Sequence, residues 1–159
     1  MKRLLTVLFM ALPAFGCSSS IVEEPTAEHQ PQFKHPVIKK PLAQVGSDGN
    51  DDLIAPFGIE GQQDLVYGLD GRDEIYGHIG YDELYGGNGN DEILGDYGPD
   101  YIVGGQGWDY LSGNAHADII EAADGRKDTV LCGKGDADRA TVDKVDKVEG
   151  CEFVSGAAK

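Results

Sequence analysis

The chain has 159 residues and a formal net charge of −15, with 28 acidic against 13 Lys and Arg side chains. A surface this acidic repels nucleic acids and anionic membranes and attracts cations, so nucleic-acid partners are not expected. The imbalance is also local: between residues 46 and 121 the only basic residue, apart from His78 and His116, is Arg72.

The N-terminus, MKRLLTVLFMALPAFGC, carries Lys2 and Arg3, an apolar run from Leu4 to Phe15, and small Gly16 before Cys17. This is the pattern of an export signal over residues 1–16. It is too short, and too abruptly followed by Ser18, Ser19 and Ser20, to span a membrane. It resembles a bacterial lipoprotein signal, which implies cleavage before Cys17, lipidation of that cysteine, and membrane contact only through the lipid anchor. Ordinary secretion after cleavage at Gly16 is the other reading. Residues 17–45 hold Pro25, Pro31, Pro36 and Pro41, mixed charges and no sustained period of two or 3.6. They are predicted to be a disordered tether, with docking of Val37, Ile38 and Leu42 onto the folded part as the alternative.

From Asp64 the period is nine. Aspartates recur at Asp64, Asp73, Asp82, Asp91, Asp100, Asp109 and Asp118. Two residues before them stand Gly71, Gly80, Gly89, Gly98 and Gly107, a column that His116 breaks; five residues before stand Gly68, Gly77, Gly86, Gly95, Gly104 and Gly113. Two residues after each aspartate comes an aliphatic: Val66, Ile75, Leu84, Ile93, Ile102, Leu111 and Ile120. Collagen is excluded because its glycine period is three. An EF-hand is excluded because its nearest match, starting at Asp48, places Leu53 and Ile59 where Gly and Glu are required.

The register resembles the repeats-in-toxin (RTX) nonapeptide, G-G-x-G-x-D-x-U-x with U a large aliphatic residue. GSDGNDDLI, residues 46–54, forms an outlying unit offset by four extra residues. The second position departs from the pattern at Leu69, His78, Asp96 and Asn114. The resemblance implies an all-β fold, a right-handed parallel β-roll (a β-solenoid) over residues 46–127. The x-U-x positions then form short strands and the first six positions form turns. Units eighteen residues apart stack. The resemblance further implies Ca²⁺ between the stacked turns, held by the seven aspartates and by peptide carbonyls of the glycine turns. All-oxygen ligation suits a hard cation. The pairs Asp64 with Asp82, Asp73 with Asp91, Asp82 with Asp100, Asp91 with Asp109, and Asp100 with Asp118 correspond to about five ions. One aliphatic per nine residues is a thin core, and stacked aspartates repel without a cation, so the roll is expected to fold on binding.

Residues 128–159 are expected to form a small C-terminal cap. DTVLCGKGDADRATVDKVDKVEGCEF resembles the ending found in bacterial repeat proteins of this type. An exported chain would join Cys132 to Cys151 in a disulfide, two free thiols being the alternative. The histidines are scattered and no nucleophile elbow or HExxH motif occurs, so no enzyme is expected. Outward columns of Tyr67, Tyr85 and Val103, and of Tyr101 and Ile119, read as cross-strand packing or as a binding patch. The sequence therefore points to an extracellular or cell-surface calcium-binding protein with a structural or adhesive role at the envelope, and to polysaccharide or another cell surface as its partner. A secreted accessory or glycan-binding module working with a separate enzyme is the second reading.

Overall fold

A computed structural model describes residues 42–55 and 62–156. The predicted signal peptide (1–16), Cys17 and the tether as far as residue 41 lie outside the described residues. Among the described residues, thirteen strands alternate between two parallel sheets. The first sheet takes the odd-numbered strands: β1 (Leu42–Val45), β3 (Asp64–Gly71), β5 (Glu83–Gly89), β7 (Tyr101–Gln106), β9 (Ile119–Glu121), β11 (Arg139–Thr141) and β13 (Phe153–Ser155). The second takes the even-numbered ones: β2 (Asp52–Ile54), β4 (Glu74–Tyr76), β6 (Glu92–Tyr97), β8 (Tyr110–Ala115), β10 (Thr129–Lys134) and β12 (Lys147–Glu149). The result is the all-β, parallel β-solenoid that the resemblance to the RTX nonapeptide implies.

Two units make one coil, so every aliphatic stacks on the one eighteen residues earlier. Val66 pairs with Leu84, Leu84 with Ile102 and Ile102 with Ile120 in one sheet; Ile75 pairs with Ile93 and Ile93 with Leu111 in the other. All seven are completely buried and belong to one core. Alternation along each strand turns their neighbours outward. There Tyr67 stacks on Tyr85 with ring centroids 4.9 Å apart, and Tyr101 meets Tyr85 edge-on at 6.1 Å. The tyrosines thus pack on one another along the sheet.

Three boundaries differ from the expectation. Leu42–Val45, placed in the tether, forms β1 and pairs along β3, because an extended segment can satisfy an edge strand through its peptide groups whatever its side chains. Several strands of the array are longer than three residues, although β4 and β9 keep that length. Pairing continues round the corner from Leu69↔Gly87 to Gly71↔Gly89, and likewise at Gly87↔Gly105 and Asp96↔Asn114, so part of these turns joins the ladder. Finally, residues 128–155 continue both sheets through β10 to β13, with Val130 above Leu111 and Ala140 above Ile120. The disulfide-linked cap therefore continues the solenoid for two more coils.

Cys132, in β10, is bonded to Cys151, and the core packs against both. The bridge closes a loop with a sequence separation of 19. Replacing both cysteines by serine is expected to cost roughly 3 kcal/mol, the chain-entropy value for such a loop. Urea unfolding in millimolar calcium measures it; an unchanged midpoint would show that this coil is held by other contacts.

Candidate metal centre

Each predicted aspartate begins or precedes a strand at the same point of its coil, and the repeat places them in two columns. All seven are buried, none more than 4% exposed. Their two oxygens have different surroundings. One, Oδ1, accepts the peptide N–H of the aspartate one coil earlier, except in Asp64, where it accepts from Gln62 Nε2: Asp64 N–H donates to Asp82, Asp73 to Asp91, Asp82 to Asp100, Asp91 to Asp109 and Asp100 to Asp118, each at 2.9 Å. These are the five stacked pairs that the spacing predicts. The other, Oδ2, is buried in every one of them and has no hydrogen-bond partner.

The ladder extends past the expected residues. Asp128 and Asp138 are fully buried, accept from Asp109 and Asp118 at 2.8 Å, and carry the same orphaned Oδ2. Their spacing slips from nine to ten, which hides them from a strict nine-residue register. The near-repeat of Asp after a glycine-rich turn is the signal that remains. Asp51, the sixth residue of the outlying unit, donates its N–H to Asp73 Oδ1 at 2.9 Å, but its own carboxylate is satisfied by Ser47.

The glycine turns come close to the carboxylates and to one another. Among the predicted glycines, Gly71, Gly89, Gly98 and Gly107 have φ between +129° and +150°, whereas Gly80 lies outside this region. A Cβ on Gly107 would collide with the carbonyl oxygen of Gly89 one coil below, and its φ of +150° disfavours any side chain. Gly107→Ala is therefore expected to destabilise the calcium-loaded fold by roughly 2–3 kcal/mol, combining strain and overpacking. Leu69 poses the converse case, because it holds φ +86° at a position where Gly87 and Gly105 stand in the next coils of that sheet. Left-handed backbone costs an L residue about 1–2 kcal/mol, and the extra flexibility of glycine gives back about 0.5–1. Leu69→Gly should then stabilise by about 0.5–1 kcal/mol. Thermal melts of both variants at fixed free calcium check the two signs.

Burial dominates the electrostatics. It pushes the Asp100 carboxyl up to about 8, Asp109 and Asp118 to about 7, and Asp82, Asp91 and Asp128 to about 6, and it also raises Asp73. The peptide N–H from the preceding coil opposes the rise, and neighbouring ladder carboxylates add to it. A fold that holds these groups as carboxylates needs a cation beside them. The residues fit a hard dication on this count: nine orphaned, buried carboxylate oxygens recur at one height in successive coils. Among the described residues no three His, Cys, Asp or Glu side chains converge. Any ion would therefore take one or two carboxylates and complete its shell from peptide carbonyls, a set suited to calcium rather than zinc.

No curated protein and no solved structure matches the chain. Residues 61–93 and 94–126 each match the model of the RTX calcium-binding nonapeptide repeat (4 copies), and with the stacked aspartate columns this match supports placing the central array in the RTX repeat family, whose repeats imply calcium binding in a β-roll.

Proposed function

We propose that this chain is an exported calcium-binding β-roll that folds on Ca²⁺ and acts as a structural or adhesive protein at the cell envelope rather than as an enzyme. The observation that carries the calcium reading is the column of buried, unpartnered Oδ2 atoms. The predicted ligands are Asp64, Asp73, Asp82, Asp91, Asp100, Asp109 and Asp118, with carbonyls of the turns that contain Gly71, Gly80, Gly89, Gly98 and Gly107. To these we add Asp128 and Asp138, because they repeat the same hydrogen bond and the same orphaned oxygen. The ion neutralises the column, and the stacked peptide N–H groups hold each carboxylate in place. Export is supported by the apolar N-terminal run ending in Gly16 and Cys17, and anchoring by the lipoprotein-like cysteine. In that setting the protein meets the millimolar calcium to which extracellular modules are tuned.

Native mass spectrometry in a volatile calcium buffer tests the extent of the ladder. With seven N–H to Oδ1 steps between the nine ladder aspartates, the count is expected to exceed the five that the nonapeptides alone predict. Asp138→Asn should lower it while leaving the central array loaded. A chain that takes up no calcium at millimolar concentration would overturn the proposal.

A further inference from the structure

One corner of the solenoid gathers exposed cations among its acidic residues. The residue before each ladder aspartate in this column is Asn50, Arg72, Asn90, Trp108 and Lys127 in successive coils. The two asparagines are used internally: Asn50 Oδ1 accepts the N–H of Arg72 and Asn90 Oδ1 that of Trp108, both at 2.9 Å. They hold the backbone down while Arg72, Trp108 and Lys127 remain exposed, the indole residue by 67%. A shallow groove of about 290 Å³ is lined by Arg72, Glu92, Trp108 and Lys127, and also by the ladder residues Asp91 and Asp109, whose charge the bound calcium would offset. A second of about 320 Å³ is lined by Asn90, Trp108 and Arg126, so the indole stands between two grooves with cations on both sides.

Among the described residues the ion pairs are His78 with Asp96 and Lys147 with Glu149, and none involves Arg72, Arg126 or Lys127. Three cations whose side chains make no ion pair, although Asp124 accepts the peptide N–H groups of Gly107 and Arg126 nearby, form an anion-seeking patch in a chain with 28 acidic residues. We propose that this corner binds an acidic polysaccharide, a pyranose ring lying on Trp108 and its carboxylates meeting Arg72, Arg126 and Lys127. The inference rests on the calcium-loaded fold and deepens the adhesive reading by naming the partner's chemistry. An exposed indole offers a flat apolar face to the C–H side of a sugar ring. Glu92, in the same groove, accepts from ring hydroxyls but opposes a continuous run of charge, which disfavours nucleic acid. Screening over about 8 Å at physiological salt confines the repulsion from more distant aspartates.

Trp108 is the only tryptophan, so its emission reports on the corner directly. The experiment titrates short uronate oligosaccharides, too short to gel, into the full chain at fixed millimolar calcium and physiological salt, by fluorescence and calorimetry. Saturable binding with a shift in emission is expected. Trp108→Ala, or Arg72→Gln with Lys127→Gln, should each weaken it at least about tenfold, and the methyl-esterified oligosaccharide should bind as weakly as the variants. Unchanged affinity in the variants, equal binding of the ester, or no binding would overturn the proposal. Circular dichroism on the same samples separates a chain that fails to fold with calcium, which would overturn both readings, from a folded chain that ignores the oligosaccharide, which would overturn this one alone.

Discussion

Stripping divalent ions at pH 8 is expected to abolish the β-sheet signal of the solenoid in far-UV circular dichroism, and millimolar calcium is expected to restore it. The core is one main aliphatic stripe on each sheet, from Val66 to Ala140 on one and from Leu53 to Val130 on the other, with Ala55, Ala122, Cys132 and Val142 buried beside them. Against it stand nine buried aspartates whose Oδ2 atoms have no partner. An uncompensated buried carboxylate costs several kcal/mol even after relaxation, and a domain of this size has only about 5–15 kcal/mol of net stability. A few such charges exceed it. Neutralisation by protonation is not available at pH 8, since only Asp100 is raised to about 8. The ion-free chain must therefore open. Magnesium at the same concentration is expected to be a poor substitute, because it demands a tight octahedral shell and gives up water reluctantly, whereas calcium accepts irregular sets of carbonyls and carboxylates. A spectrum unchanged after exhaustive chelation would mean that the solenoid is held by its aliphatic stripe and backbone ladder alone.

The register of the fold was legible because a solenoid writes its geometry into its period. Ile75, Ile93 and Leu111 are eighteen residues apart in sequence and neighbours in space, as are Val66, Leu84 and Ile102. What escaped has physical reasons. Leu42–Val45 carries neither the glycines nor the aspartate of a repeat unit, and an edge strand asks for neither. Asp128 and Asp138 follow after ten residues rather than nine, a bulge that the turn absorbs while the strands keep their alignment. The extension of pairing through Leu69 and Gly71 is invisible because it depends on peptide groups, which the side-chain pattern does not describe.

The site was legible to the level of residues and no further. Spacing placed the aspartates in columns, but it could not assign one oxygen to the neighbouring peptide N–H and leave the other bare, which is the feature that calls for a cation. The corner around Trp108 was hidden more deeply. Arg72, Trp108 and Lys127 are drawn together across fifty-five residues only once the coils are stacked, and the last step of the column is nineteen rather than eighteen.

Acid is expected to do part of calcium's work. The sign follows from the carboxyls that burial raises from their ordinary 3.8 to between about 6 and 8: Asp82, Asp91, Asp100, Asp109, Asp118 and Asp128. Between pH 4 and 8 the folded, ion-free chain binds more protons than the unfolded one, so its stability falls as pH rises through this window and is regained as pH falls. Metal-free protein that is unfolded at pH 8 should recover β structure near pH 5, the reverse of ordinary acid denaturation. With calcium present the dependence inverts, because the ion requires the deprotonated carboxylates; affinity should fall as pH drops from 8 towards 6, and binding should release protons. Calorimetry in two buffers of different ionisation heat counts those protons, and thermal melts across the pH range follow the ion-free state. Asp100→Asn sharpens the test. Its amide oxygen can still accept the N–H of Asp82, while the buried charge with the highest pKa is gone. The variant should therefore stay folded to a higher pH without metal, release fewer protons on calcium binding and take up less calcium. If metal-free protein is instead more disordered at pH 5 than at pH 8, the buried carboxylates do not control folding.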